Sequence, residues 1–529
     1  MATTLTFLGA TGAVTGSKYL LTVGERRILV DAGMFQGEKE LRRRNWSDFP
    51  VPPDTITDVL LTHAHMDHVG YLPVLTKNGF SGPVWCTAYT IDLAQIVLRD
   101  SGFLQERDAE DARLGGWSKH ANPKPLYDSA DVEKALPQLT EVDYDRELDL
   151  GDGITARWTR AGHILGAASV RVQTPDGSVL FSGDLGRADH PVLRPRETPP
   201  GADLVLVEST YGDREHPQPV NLPHEALADA IRRAFQRGGS VLIPAFAVDR
   251  TEIVLKALSD MRRDGRIPRS PVYVNSPMAA KALDVYTRAT DEMRADLDLS
   301  EIRRDLREVR TADESRDLTT GPLEPSIIIS SSGMATGGRV LHHLERMLPD
   351  SRNAIVLTGY QAAGTRGRAL LEGATRLKMH GRYVGVKAEI VRDEEFSVHA
   401  DASGLVDWLR DLDPAPGTVF CTHGEPDAAA ALAARIESEL GLAAVVPAHG
   451  EVVVVEPAEA GDRRVAAAEA AGAAQPADRS ELRAGPDTVP VSLDGISLTG
   501  AHVEADLRPH EDADGALVLE GTIRIRLRR

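Results

Sequence analysis

The chain has 529 residues, 42% hydrophobic and 26% charged, with two cysteines and a net charge of −19. This excludes collagen-like, disordered and disulfide-scaffold classes and fits about three to four globular domains. No apolar run approaches the roughly 18–20 residues of a membrane helix. The start lacks the basic and apolar regions of a secretory signal. Cys86 and Cys421 form no CxxC motif, so a reducing cytoplasm is the expected location and no membrane association is expected. The acidic balance argues against a uniformly basic nucleic-acid surface and leaves room only for a local groove.

In chain order, strands are predicted over Thr4–Gly9, Tyr19–Val23 and Arg27–Asp31, the last ending in a carboxylate. Gly9–Gly16 is a glycine-punctuated turn. Thr57–Thr62 is a strand running into a histidine cluster, Ser178–Ser182 precedes Asp184, and Asp203–Val207 precedes Glu208. Thr418–Thr422 precedes His423. Ligands of open α/β sheets sit beyond the carboxyl ends of strands, so polar residues there are coherent candidates. Between Asp184 and His423, short apolar strands at 240–246, 271–275, 326–330 and 354–358 alternate with helical patterns at 223–237, 249–264, 279–296 and 338–348. That alternation predicts a parallel sheet. An α/β domain over 212–390 is therefore expected as an insertion into a first domain formed by 1–211 and 391–456. Residues 457–487 read as a linker or loose helix, and 488–529 as a small β-rich extension. Within that extension, Thr522–Arg528 alternates apolar and basic residues, as a half-buried strand would. Its basic face is read as solvated, with a dimer or RNA contact as the alternative.

The strongest chemical signal is His63-Ala-His65-Met-Asp67-His68. Imidazole and carboxylate are both zinc ligands. Alternation on an extended chain points the rings of His63 and His65 to one side, and Asp67 and His68 then turn toward a second ion. His163 between glycines, Asp184 and His423 offer further donors, and Asp31 is placed to orient a ligand from behind.

These residues stand as in the metallo-β-lactamase superfamily. Val207-Glu208-Ser-Thr-Tyr-Gly-Asp213, Phe396-Ser-Val-His399-Ala-Asp401 and Thr422-His423-Gly-Glu425 resemble the additional motifs of its β-CASP nucleases. So do Ser330–Arg339 and Gln361–Arg368. The resemblance covers about residues 1–456 and is nearest to the branch of the pre-mRNA 3′-end cleavage endonuclease and its bacterial and archaeal homologues. The sequence reads Ser-Val-His where relatives often have Ser-Ala-His, an apolar change. The implied fold is α/β: a metallo-β-lactamase αββα sandwich, an inserted β-CASP domain with a parallel sheet, and a short C-terminal β appendage. The implied cofactors are two Zn²⁺, with Mn²⁺ as the alternative. One ion is assigned to His63, His65, His163 and Asp184, the other to Asp67, His68, His423 and a bridging Asp184. The implied substrate is RNA, because relatives acting on DNA usually lack the histidine at the position of His423.

The expected chemistry is hydrolysis of RNA phosphodiesters by water whose pKa two cations lower. It leaves 5′-phosphate and 3′-hydroxyl ends, with His399 as general acid and Glu208 holding its ring. Asp67 and Asp184 are the carboxylates of the reacting centre. Residues 360–392 carry seven cationic side chains against two acidic ones. Arg366, Arg368, Arg339, Ser331, Ser332 and Gly333 are therefore candidates for RNA phosphate contact. Single-stranded RNA is the expected partner and a homodimer a further expectation. The alternatives are a 5′–3′ exoribonuclease, a small-molecule hydrolase of the same superfamily and a non-catalytic RNA-binding scaffold.

Overall fold

The computed structural model describes residues 2–115, 122–217, 222–322, 324–362, 364–457, 501–511 and 517–527. Two seven-stranded sheets share one apolar core. The first runs in the order Val452–Val454, Thr4–Phe7, Tyr19–Val23, Arg26–Val30, Asp58–Leu60, Val84–Thr87, Leu139–Val142. The second runs Ala443–Val445, Thr418–Thr422, Leu204–Glu208, Gly177–Phe181, Ala168–Thr174, Ile154–Arg160, Glu147–Gly151. Period-2 alternation sends Leu5 and Phe7 inward while Thr4 and Thr6 remain half-buried. These inward residues meet Trp158, Val170, Phe181 and Phe420 of the second sheet. Helices cover the outer faces. Leu93, Val97 and Leu98 of Ala88–Gly115 belong to the cluster of Leu29 and Val59, and Leu405, Leu409 and Leu432 to that of Val205 and Val419.

A third sheet is wholly parallel: Leu306–Glu308, Val272–Val274, Ile327–Ser330, Val241–Pro244, Ala354–Thr358, Glu389–Asp393. Its central strands are buried on both faces, as continuous apolar runs such as Ile327-Ile-Ile require. Ile253, Val254 and Leu258 pack on one face; Val340, Leu344 and Met347 pack on the other. Four of the six strands lie within one or two residues of the predicted spans, while Leu306–Glu308 and Glu389–Asp393, at the sheet's two edges, were not predicted. Three of the four predicted helices also lie that close to their spans, as Glu225–Gln236, Arg250–Arg263 and Val340–Met347. The fourth, expected over 279–296, is Pro277–Arg288. Apolar periodicity continues past Arg288, but tertiary pairing overrides it. Leu193 and Met293 form an antiparallel bridge, Arg194 N donates to Glu292 O at 2.9 Å, and Arg294 N donates to Val192 O at 3.0 Å. The strands Ala501–Glu511 and Leu517–Leu527 pair antiparallel as a separate hairpin. The expected linker beyond residue 457 lies outside the described residues. Among the described residues no helix is long and apolar enough to cross a membrane, and Cys86 and Cys421 are buried and free.

One buried ion pair joins the inserted segment to the second sheet. Arg160 donates from Nε and Nη2 to the two oxygens of Glu292 at 2.8 and 2.7 Å, and from Nη1 to Glu197 at 2.5 Å. Removing one partner of such a pair leaves the other charge buried and uncompensated. Glu292→Ala is expected to lower unfolding free energy by about 3–5 kcal/mol, read by urea unfolding. Glu292→Gln, whose amide oxygen still accepts one of the two bonds, is expected to lose less.

Lys18 is buried against Phe35 and Tyr71, its Nζ 4.3 and 4.9 Å from their ring centroids, and donates to Gly33 O. The ring faces favour the ammonium, but burial, followed by the nearby Arg44, pulls its pKa down to about 7. The folded chain therefore releases this proton before the unfolded chain does. Between about pH 7 and the ordinary lysine value the unfolded state binds more protons, so stability rises with pH there. The unfolding free energy of the wild type relative to Lys18→Met is expected to rise across that window and to level off below pH 7.

Candidate metal centre

The candidate donors sit at carboxyl ends of strands and in the loops that follow. His63, His65, Asp67 and His68 follow Asp58–Leu60, with His65 at the start of the short helix Met66–Val69. His163 lies in the turn between Ile154–Arg160 and Ala168–Thr174, Asp184 follows Gly177–Phe181, and His423 follows Thr418–Thr422. Backbone conformation makes these turns possible. Gly162 and Gly183, each next to a donor, have φ of +65° and +58°. A Cβ at Gly183 would come 2.8 Å from Thr62 Cβ, and one at Gly162 would come 2.7 Å from Arg196 N. Asp31 and His423 also take positive φ, +58° and +51°. Such conformations cost free energy and cluster where geometry serves function.

The donors fall into two groups. His63, His65, His163 and Asp184 form one, and Asp67, His68 and His423 the other. In the first, His63 Nε2 and His65 Nδ1 are 3.1 Å apart, and His163 Nε2 and His65 Nδ1 3.3 Å. Asp184 Oδ2 lies 3.6 Å from both His63 Nε2 and His163 Nε2. Four ligands on a tetrahedral zinc with ordinary bond lengths stand about 3.3 Å apart, so the set has the right size. In the second group, His68 Nε2 is 3.2 Å from His423 Nε2 and 3.2 Å from Asp184 Oδ1, and His423 Nε2 is 3.4 Å from Asp67 Oδ2. Asp184 faces both groups.

Hydrogen bonds behind the rings fix which nitrogen faces inward. Asp31 Oδ2 accepts from His68 Nδ1 at 2.8 Å and from Thr62 Oγ1 at 2.9 Å. Having donated to Asp31, the Thr62 hydroxyl is left to accept from His63 Nδ1 at 3.1 Å. Thr210 Oγ1 stands 3.1 Å from His423 Nδ1. Each of these bonds places the proton on Nδ1 and the lone pair on Nε2. The lone pairs of His68 and His423 then face each other across 3.2 Å, an arrangement that calls for a cation. Asp184 Oδ1 is buried without a hydrogen bond, and it too calls for one. Burial, reinforced by the neighbouring His68 and His399 respectively, holds His63 and His163 well below the ordinary histidine range, in the neutral donor form. Burial opposes charge on Asp184 as well. Positive charge on His423 and His68 outweighs it and holds the carboxyl well below its usual range. The residues fit a divalent metal. Thr62 ends the predicted strand before the histidine motif and Thr210 sits inside the Glu208 motif, and neither received a role; a hydroxyl beside a ligand gives no signal of its own in a single sequence.

Beside the first group, His399 Nδ1 is 3.1 Å from both oxygens of Glu208, and its ring centroid is 4.5 Å from that of His163. Glu208 is fully buried and accepts from Leu185 N at 2.7 Å, which ties it to the Asp184 loop. Burial lowers the His399 pKa, but the Glu208 carboxylate outweighs it, and the net displacement is upward. His216 Nε2 donates to His399 O at 2.7 Å, and Asp401 caps the helix Ala402–Arg410.

These groups open onto a cavity of about 380 Å³, lined by His65, Asp67, His163, Asp184, His399 and His423 on one side. Phe246, Ser276, Ser331, Ser332 and Arg339 line it from the inserted segment, and Phe103 and Leu104 from the helix Ala88–Gly115. Gly333, Arg366 and Arg368 do not line it. The Arg366 guanidinium donates to Lys378 O and Thr336 O, and Arg368 pairs with Glu372. Arg339 reaches the cavity while donating to Asn275 Oδ1 and Val309 O.

Three family models match the chain in succession: the metallo-beta-lactamase superfamily over residues 11–245, the Beta-Casp domain over 251–370, and the Zn-dependent metallo-hydrolase RNA specificity domain over 383–450. The chain is 37% identical to Ribonuclease TTHA0252 of Thermus thermophilus, over 80% of this chain and 94% of that one. It is 31% identical to the transcription termination factor FttA of Methanosarcina mazei, over 82% and 69%. It is 29% identical to an RNase J-like protein of Methanocaldococcus jannaschii, over 81% and 94%.

Asp31 does not line the cavity shared with the inserted segment and acts through His68 and Thr62. Losing such an orienting partner weakens metal affinity about 10–100-fold. Asp31→Ala is expected to show that loss in competition with a chromophoric zinc chelator, with the secondary structure retained by circular dichroism.

Proposed function

Because the chain belongs to the β-CASP ribonucleases of the metallo-β-lactamase superfamily, we propose that it is an endoribonuclease. It hydrolyses phosphodiesters of single-stranded RNA with two zinc ions and leaves 5′-phosphate and 3′-hydroxyl ends. The observation that carries the reading is His399. Its ring adjoins the donor groups, both Glu208 oxygens hold its Nδ1 at 3.1 Å, and it lines the cavity.

The chemistry follows from these side chains. His63, His65, His163 and Asp184 would hold one ion, and Asp67, His68, His423 and Asp184 the other. Bound there, the ions supply Lewis acidity and a water of lowered pKa. His399 supplies what hydrolysis also requires, a proton for the departing 3′ oxygen. Glu208 favours the charged imidazolium and leaves Nε2 to donate. Because water is the nucleophile, the 2′-hydroxyl is not consumed. Phe103, Leu104 and Phe246 give the cavity apolar surface on which bases can stack, and Ser331, Ser332 and Arg339 offer donors to phosphate.

The test uses 5′-labelled single-stranded RNA and its DNA counterpart with added Zn²⁺ or Mn²⁺. Internal RNA cuts that vanish with chelator and spare DNA are expected. Asp184→Ala should abolish cutting. His399→Ala should lower kcat by about 10²–10⁴-fold, the range for loss of a general acid, with bound metal unchanged. Release of mononucleotides alone would replace this reading with a 5′–3′ exonuclease. Cutting of neither polymer by metal-loaded protein would replace it with a small-molecule hydrolase or an RNA-binding scaffold.

A further inference from the structure

A second cluster of imidazoles lies on the inserted segment. His342 and Glu345 are three residues apart on the helix Val340–Met347, so they share a face. His380 sits between the paired strands Arg376–Met379 and Arg382–Gly385. His380 and Gly381 both take positive φ, +44° and +79°, the backbone of a tight hairpin turn. Asparagine or glycine is the usual residue at the first of these places, and a histidine there is uncommon. This one points at the helix. Its Nδ1 is 3.2 Å from Glu345 Oε1, and its ring stacks on that of His342 with centroids 4.8 Å apart and planes at 25°.

We propose that His342, Glu345 and His380 form a surface site for a divalent cation of the zinc, nickel or copper type, clamping the 376–385 hairpin to the helix. One donor atom from each residue lies within 4.8 Å of the others. Two imidazoles and one carboxylate select zinc, nickel or copper over magnesium or calcium, and three protein donors leave a position for water. A plain ion-pair cluster accounts for part of this arrangement, since Arg382 Nε also donates to Glu345 Oε1, at 3.1 Å. It gives His342 no role. Among the described residues the His342 ring has no hydrogen-bond partner, yet it lies stacked where its nitrogen joins the other two donors. Burial and the adjacent His380 hold its pKa down, in the neutral form a cation requires. None of the three residues belongs to the donor groups around Asp184, so the proposal stands apart from the catalytic reading.

The test titrates full-length protein, stripped with chelator, with Zn²⁺ alone. The variants are His342→Gln and His380→Asn, singly and together; asparagine tolerates the left-handed backbone at 380. The wild type is expected to bind one more equivalent at micromolar zinc than the double variant. A zinc-edge anomalous peak between the three side chains should appear in wild-type crystals only. Amide exchange in residues 376–385 should slow with zinc in the wild type and not in the double variant, while RNA cutting is the same in both. Equal stoichiometry in wild type and double variant overturns the proposal, as does occupancy of this position only at millimolar zinc.

Discussion

A carboxylate buried among imidazoles sets the terms for this molecule. Asp184 lies within 3.6 Å of His63, His68, His163 and His423, and one of its oxygens has no hydrogen bond. An isolated buried charge costs several kcal/mol, so the fold must gather positive charge or a cation about this point. The residues that do so come from positions 63 to 423. They meet because both seven-stranded sheets present carboxyl ends toward the same place. The strained turns at Asp31 and His423 follow from that demand, each at a cost of order 1–3 kcal/mol. The core between the sheets offsets this cost, with Trp158 and Phe181 among its fully buried side chains.

The inserted segment contributes none of the seven candidate donors, yet it is tied to them. Tyr286 Oη donates to Asp249 Oδ1 at 3.0 Å and accepts from Leu165 N at 3.1 Å, two residues beyond His163. The Arg160–Glu292 pair holds the strand entering the same turn. A shift of the inserted segment would therefore be felt at His163 as well as across the cavity. The position of the inserted segment and the integrity of the centre are mechanically linked through this turn.

The legible parts of the fold are those whose local pattern and tertiary environment agree. The parallel strands could be read because apolar β-branched runs bury both faces, and the donors because histidine and aspartate cluster at strand ends. The helix predicted to reach residue 296 could not be read, because its stop is set by pairing with residues 192–194 rather than by a cap. Thr62 and Thr210 were invisible for a related reason. Their roles depend on hydroxyl geometry to rings fixed by distant strands, and threonine in a strand or turn is ordinary. His380 is an intermediate case: the turn is signalled by the following glycine, but its approach to His342 and Glu345 is tertiary.

Charge counting was the least reliable guide, and the reason is physical. Seven cations against two acids within 360–392 suggested a phosphate surface. Arg368 pairs with Glu372, Arg382 with Glu345 and Arg392 with Glu394, while Arg366 holds backbone carbonyls. A guanidinium engaged in this way still contributes to the long-range field, but it must break a bond to take a phosphate. In a chain of net charge −19, diffuse attraction of a polyanion is weak. Recognition then falls on groups that face the cavity and, on the reading proposed here, on the cations held by Asp184 and its neighbours. Counterion release scales with the number of phosphates neutralised. On the proposed function, affinity for RNA therefore depends less on salt than the arginine-rich segment implies, and more on occupancy of the metal centre.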